Sequence, residues 1–138
     1  TIGEWGRRSA RALLVGSPST LFLQYALGAS RPKEGDSDWK PFNDNNSASG
    51  HAFVGAAPLI TAAQMSDNFY LKSLFYAASA LPGIARINDD KHYLSQVILG
   101  WWLAYLSAES VGQTEEQKII ITPMALRDGL GIRLTKRF

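Results

Sequence analysis

The sequence predicts an all-α fold, a helical bundle of about five helices with a small C-terminal β-hairpin, and three observations lead to it. Apolar residues recur at helical spacing through most of the chain as far as Ser107. Clusters of glycine, proline and asparagine interrupt this spacing where short connections between helices are expected. After Lys118 the pattern changes to β-branched and alternating residues, which is typical of paired strands.

The predicted elements follow from where the periodicity begins and ends. The five helices are expected at about residues 4–15, 20–27, 49–65, 68–80 and 91–107. Gly16-Ser17-Pro18 separates the first two, and Pro82-Gly83 breaks the fourth. The third helix is apolar nearly all round, so we expect it in the centre of the bundle. Residues 119–122 and 130–135 are expected to pair as strands around Asp128-Gly129.

Length and composition restrict the class of protein. With 138 residues, 46% of them hydrophobic and 19% charged, the chain is expected to form one folded domain over residues 1–138. The net charge is only +2 and no long basic run occurs, which excludes a nucleic-acid footprint. Cysteine is absent, which excludes disulfides, thiolate metal sites and cysteine nucleophiles. The most hydrophobic stretch, residues 93–108, is too short to span a bilayer.

A long connection without periodicity separates the second and third predicted helices. It covers about residues 30–50, and a structureless loop of this length is uncommon in a small domain unless it binds or covers something. Trp39 and Phe42 lie within it. They are interpreted either as a cover over a bound substrate or as anchors that tie the loop to the core.

Three small polar clusters carry the chemistry. They are Arg31-Pro32, Ser49-Gly50-His51, and Arg86 with His92 six residues further on. Two guanidinium groups can bind an oxyanion bidentately, and free backbone amides at the start of a helix can hold another oxygen. Two imidazoles can act as nucleophile and general acid. Each of these residues alone has an ordinary structural interpretation, so the prediction depends on their combination.

The combination resembles the signature of the type 2 phosphatidic acid phosphatase and vanadium haloperoxidase superfamily. That signature reads Lys, six residues, Arg-Pro; then Pro-Ser-Gly-His; then Ser-Arg, five residues, His, three residues, Asp. Arg31-Pro32, Ser49-Gly50-His51, Arg86 and His92 match it in order and in spacing, over about residues 20–100.

Four positions depart from the signature. Gln24 stands in place of the first lysine, Ala48 in place of the proline, Ala85 in place of the serine, and Gln96 in place of the aspartate. Lys33 or Lys91 are candidates to replace the missing cation. Gln96 lies four residues after His92, so its amide oxygen can accept the imidazole N–H, but it supplies no negative charge. In serine-protease triads the change from aspartate to asparagine lowers turnover about 10⁴-fold, which makes a weakened enzyme a real alternative.

The resemblance implies a function and a site. It implies a phosphatase that needs no metal or other cofactor and acts on phosphomonoesters or lipid phosphates, with His92 as nucleophile and His51 as proton donor. The phosphate would be held by Arg31, Arg86, Ser49 and Gly50, with Gln24 beside them. Two alternatives remain: a module that binds phosphate or phospholipid without turnover, and a vanadium-dependent haloperoxidase, for which the chain is short.

The resemblance also bears on architecture and location. The family's bundle usually has about six core helices, so one helix upstream of Thr1 is an expectation. Many bacterial members are exported or embedded in membranes, which implies a periplasmic or membrane-associated protein with peripheral membrane contact. The oligomeric state and the identity of the substrate are left open by the sequence.

Overall fold

Four α-helices make up the helical part of the chain. The computed structural model describes residues 1–35, 38–117, 119–126 and 129–136, with side chains as far as residue 115. The helices are α1 (Ile2–Leu27), α2 (Gly50–Gln64), α3 (Phe69–Asn88) and α4 (Leu94–Gln117). A short 3-10 helix, Pro32–Glu34, lies in the connection between α1 and α2. The all-helical class is therefore confirmed for the described residues up to 117, where four helices stand in place of the five predicted.

The number of helices differs because α1 continues through Pro18, where two helices were predicted. The hydroxyl of Ser17 donates to the carbonyl of Leu13 at 2.6 Å, and that of Thr20 to the carbonyl of Gly16 at 2.9 Å. Both acceptors lie in the turn before the proline, which itself has no N–H, and α1 continues on either side of it. Gly16 is a packing position, since an added Cβ would lie 2.5 Å from the Phe53 ring.

The end of α3 and both ends of α4 also differ from the prediction. α3 runs through Pro82, whose ring lies where Gly55 of α2 leaves room for it, 2.6 Å from the site of a Cβ. α4 begins at Leu94, so His92 lies just before the helix and not in its first turn. α4 also extends to Gln117, ten residues beyond the predicted end at 107.

The core is built around α2. This helix contacts α1, α3 and α4, and seven of its fifteen residues are buried, which confirms its predicted central position. Phe53 and Ile60 are its largest fully buried residues. Alanines and glycines fill most other contact positions, so the helices approach closely. The start of α2 is thereby held between α1 and α4.

Two antiparallel strands follow α4. They are β1 (Ile119–Leu126) and β2 (Gly129–Lys136), and Ile119 pairs with Lys136 and Leu126 with Gly129. The turn that was predicted at Asp128-Gly129 has one residue outside the described part of the chain. The hairpin as a unit, and its packing against the helices, stay predictions.

Apolar side chains cover much of the outside of the bundle. On α1 they include Leu14, Leu21, Phe22 and Tyr25, and on α4 Ile98 and Trp102, each at least half exposed. None of the helices described combines the length and the apolar character that crossing a membrane requires.

Candidate active site

A cavity of about 510 Å³ lies between α1 and α2, at the end of the bundle where the long connection and the start of α4 meet. Its wall contains most of the predicted site residues. At one end the lining is polar and is formed by Gln24, Arg31, Asn45, Gly50, His51 and His92. At the other end it is formed by Ser17, Thr20, Leu21, Phe53 and Val54. The structure thus gathers residues that are up to 75 positions apart in the sequence.

The start of α2 supplies backbone donors. Ser49 is the N-cap, and its hydroxyl accepts from the amide of Ala52 at 3.2 Å. The amides of Gly50 and His51 belong to the first turn, where N–H groups have no acceptor inside the helix, and both residues line the cavity. The positive end of the helix dipole adds to their attraction for an anion.

Ser49 itself is fully buried, and contacts with α4 hold its backbone in place. Its amide donates to the carbonyl of Gln96 at 2.9 Å, across to the first turn of α4. Gly100 lies directly against it, because a Cβ at this glycine would be 2.3 Å from the Ser49 carbonyl oxygen. The segment that carries the cavity's amides is therefore set by contact with α4.

His92 is buried, 7% exposed, and its orientation is fixed by Gln96. The Gln96 Nε2 donates to the carbonyl of Ser30 at 2.8 Å, and its Oε1 accepts from the amide of Tyr93 at 3.0 Å. These two backbone groups determine which end of the amide is oxygen. The same Oε1 lies 2.9 Å from His92 Nδ1, as the spacing predicted.

The fixed amide also determines the tautomer of the neutral His92 ring. Since Oε1 can only accept, Nδ1 carries the proton, and the lone pair of the ring is on Nε2. A lone pair on Nε2 is what a nucleophilic imidazole requires. Gln96 therefore orients the His92 ring but supplies no negative charge, unlike the aspartate of the signature.

Arg31 enters the cavity from the long connection. Its Nε donates to Oδ1 of Asn46 at 2.5 Å, and its backbone amide donates to Glu34 at 3.1 Å. The side chain is exposed and lines the polar end of the cavity.

Arg86 lies close to the imidazoles, although among the described residues it does not contribute to the cavity wall. Its carbonyl accepts from the amides of Lys91 at 3.0 Å and His92 at 3.3 Å. Its positive charge acts on both histidines. Arg86 therefore influences the two histidines through its charge, whereas Arg31 forms part of the cavity surface.

Gln24 lines the cavity but bonds to the backbone. Its Nε2 donates to the carbonyl of Ala48 at 2.7 Å, and it lies 3.4 Å from the position of a Cβ on Gly50. A glutamine at this position therefore holds the segment before α2. It brings no cation to the cavity. Lys91, one of the two lysines considered as a substitute, exerts its charge on His51.

The pKa of each histidine is lowered from its ordinary value of 6.5. For His92 burial is the main cause, the bond to Gln96 acts in the opposite direction, and the charges of Arg31, His51 and Arg86 lower the pKa further. For His51 partial burial is again first, followed by the charges of Arg86, Lys91 and Arg31. Burial first, and then the neighbouring positive charges, therefore favour the neutral form of both imidazoles.

Some predictions about the loop do not match the structure, and some contacts were missed. Trp39 and Phe42 are 68% and 72% exposed and neither lines this cavity, so an anchoring role in the core is not seen. Asn46 and Ser30 were missed by sequence reasoning. The polar run before Ser49 was visible, but nothing in it distinguished Asn46 from its neighbours.

The residues available for a metal were also compared. Within the parts of the chain that are described, no group of three or more histidine, aspartate or glutamate side chains is placed to hold a metal ion. The cavity's own groups are cationic or neutral, which suits an oxyanion.

Comparison with known proteins gave one finding. The family model of the PAP2 superfamily matches residues 12–117, which contain the whole of α2, α3 and α4 and all the cavity residues named above. Searches of curated proteins and of solved structures gave no significant match.

Proposed function

Because the chain belongs to the PAP2 superfamily, we propose that it hydrolyses phosphate esters through a histidine nucleophile in the cavity between α1 and α2. The observation that carries the proposal is the arrangement around His92. Gln96 holds the ring with its lone pair on Nε2, beside Arg31, His51 and the first amides of α2 in one cavity. Phosphatase activity is what the family suggests, and the roles of individual residues are our proposal.

The proposed reaction has two steps. In the first, His92 Nε2 attacks phosphorus, an N–P bond forms, and the P–O ester bond breaks as His51 gives its proton to the leaving oxygen. In the second, His51 takes a proton from water, the water oxygen attacks phosphorus, and the N–P bond breaks to release phosphate. Arg31, Arg86 and the amides of Gly50 and His51 stabilise the charge on the phosphoryl oxygens.

The test of this function is phosphate release from an aryl phosphate by the purified protein in the presence of a chelator. We expect turnover, inhibition by vanadate, and loss of turnover by at least about 10³-fold in His92→Ala, because the nucleophile is removed. Thermal unfolding of the variant checks that it is folded. Undiminished activity in the folded His92→Ala protein would contradict the proposal.

The apolar end of the cavity supports an uncharged, apolar leaving group. Leu21, Phe53 and Val54 form its wall, and the hydroxyls of Ser17 and Thr20 are already donating to carbonyls of α1. We expect kcat/KM for alkyl phosphates to rise with chain length and to exceed that for sugar phosphates, since each buried methylene contributes about 0.8 kcal/mol. Equal values for both series would contradict an apolar leaving-group site.

A membrane surface is the proposed place of action, in the periplasm or at its boundary. The exposed apolar residues Leu21, Phe22 and Tyr25 lie on the helix that lines the cavity, which supports contact with lipid. Flotation with phospholipid vesicles tests this: the protein should float with them, and Phe22→Ser should float less. A protein that stays with the soluble fraction would contradict membrane contact.

A second candidate function is phosphate binding without turnover. It is favoured by one observation. Gln24 and Gln96 stand where the signature has a lysine and an aspartate, and both are neutral amides that bond to backbone carbonyls. Vanadate or phosphate binding without hydrolysis, together with turnover gained in Gln96→Asp, would establish it. Efficient hydrolysis by the wild type, unchanged or reduced in Gln96→Asp, would dismiss it.

A further inference from the structure

Asn46 forms a buried connection behind Arg31 that the proposed reaction does not use. It lies in the long connection four residues before Gly50 and is 4% exposed. Arg31 Nε donates to its Oδ1 at 2.5 Å, and its Nδ2 donates to Oδ1 of Asp44 at 2.8 Å. Since a guanidinium only donates and a carboxylate only accepts, these two partners fix the orientation of the amide.

This bond restricts a side chain that is otherwise exposed. An arginine free in solvent samples many rotamers, and ordering it costs conformational entropy when a ligand binds. With Nε held by Asn46, the plane of the guanidinium is set, and no bond to a described residue is shown for its terminal nitrogens. Bidentate binding of an oxyanion depends on that plane.

The neutral character of Asn46 matters as much as its position. A carboxylate at the same place would also accept from Nε, but it would cancel much of the arginine's charge at close range. The amide orients the guanidinium and leaves its charge to act on the cavity. The carboxylate in this chain of hydrogen bonds belongs to Asp44, which bonds to Asn46 on the side away from Arg31. Asp44 also accepts from the amide of Asn45 at 2.7 Å.

We propose that Asn46 is a positioning residue for Arg31: it presets the guanidinium for an oxyanion in the cavity while leaving its charge uncancelled. The proposal rests on the proposed function only to the extent that the ligand is a phosphate-like anion. It predicts an effect on anion affinity that depends on Arg31. A residue that merely stabilised the loop would weaken binding whether or not Arg31 were present.

The test is a double-mutant cycle with vanadate binding as the readout, measured by calorimetry so that turnover is not required. We expect Asn46→Ala to weaken vanadate binding about 10-fold in the wild-type background and less than 2-fold in the Arg31→Ala background. Asn46→Asp should weaken binding at least as much as Asn46→Ala, because it keeps the acceptor but adds charge. Asn43→Ala, an exposed residue of the same loop, is the matched control and should leave affinity unchanged.

The outcomes separate this proposal from the proposed function. If wild type binds vanadate and the two substitutions weaken binding by independent factors, or Asn46→Ala has no effect, the role of Asn46 is overturned and the function stands. If wild type does not bind vanadate, both are overturned. Should Asn46→Ala fail to fold, NMR of the wild type decides: one arginine Nε–H signal should be protected from exchange and vanish in Arg31→Lys, and its absence would overturn the proposal.

Discussion

The two ends of the bundle orient their arginine side chains differently. At the end formed by the start of α1 and the end of α4, guanidinium groups bond to carboxylates: Arg7 and Arg11 to Glu115, and Arg8 to Glu4 at 2.7 Å. At the cavity end, the bonds that orient Arg31 and His92 come from the neutral amides of Asn46 and Gln96. We call these the paired end and the site end.

The difference teaches which end is built to bind a ligand. A carboxylate partner cancels the charge of an arginine and contributes modestly to stability, whereas an amide partner fixes geometry and leaves the charge in place. The lowered pKa values of His51 and His92 agree with a site end that keeps its positive charge. An oxyanion would supply the missing negative charge there.

The largest expected contrast between the ends comes from two glycines of α4. A Cβ at Gly100 would lie 2.3 Å from the Ser49 carbonyl oxygen, whereas one at Gly112 would lie 3.8 Å from Gln64, which is ordinary contact. We expect Gly100→Ala to lower the free energy of unfolding by about 1–3 kcal/mol and to weaken vanadate binding at least about 10-fold, because Ser49 and the amides after it must move. Gly112→Ala should be neutral or add up to about 1 kcal/mol, since alanine favours helix.

Urea unfolding and vanadate titration of the two variants measure this contrast. Only Gly100→Ala should weaken the binding of vanadate. Equal effects of the two alanines on affinity would mean that the start of α2 is not held by α4.

The second prediction introduces a carboxylate at the site end. In Gln96→Glu the bonds from His92 and Tyr93 can persist, but the carbonyl of Ser30 loses its donor and faces an oxygen. We expect a loss of about 1–3 kcal/mol in unfolding free energy. The nearby negative charge should raise the pKa of His92, which moves the acid limb of the kcat/KM profile to higher pH. An unmoved acid limb would mean that residue 96 does not control the ionisation of the nucleophile.

These bonds show what sequence could and could not predict. The start of a helix at about Ser49-Gly50 and the contact between His92 and Gln96 follow from local sequence, and both are present. The bond from Gln96 to Ser30 joins residues 66 positions apart, and no local pattern encodes it. The same limit explains the helix count, because Gly16-Ser17-Pro18 resembles a terminator until its contact with Phe53 on another helix is known.

The third prediction concerns pH, for which both histidines have a stated direction. A histidine with a lowered pKa binds a proton less readily in the folded state than in the unfolded state. Between the lowered value and 6.5 the unfolded chain therefore holds more protons, and stability should rise with pH through this window and level off above it. His92 must be neutral and His51 protonated for the first step, so kcat/KM should be bell-shaped with its maximum below about pH 6.5. Chemical unfolding and initial rates across pH 4–8 measure both, and a maximum well above pH 7 would contradict the assigned roles.

The smallest expected effect is at the paired end. Glu115→Gln removes the carboxylate that Arg7 and Arg11 share, and the arginine side chains are about half exposed. We expect the free energy of unfolding to fall by about 0.5–1 kcal/mol and the affinity for vanadate to stay unchanged. Thermal unfolding with and without vanadate checks both values. A change in the vanadate-induced shift of the unfolding temperature would show that charge at the paired end affects anion binding in the cavity, and would contradict the separation of the two ends.

The central claim is that Nε2 of His92 is the nucleophile, and the most direct measurement is identification of the phosphorylated residue. Protein mixed with an aryl phosphate and quenched within milliseconds, then digested and sequenced by mass spectrometry at neutral pH, should carry an acid-labile phosphoryl group on His92 Nε2. The group should be missing from His92→Ala and accumulate in His51→Ala, because an aryl oxide leaves without an acid whereas the second step lacks its base. A phosphoryl group on another residue, or turnover through which no phosphoenzyme forms, would contradict the account.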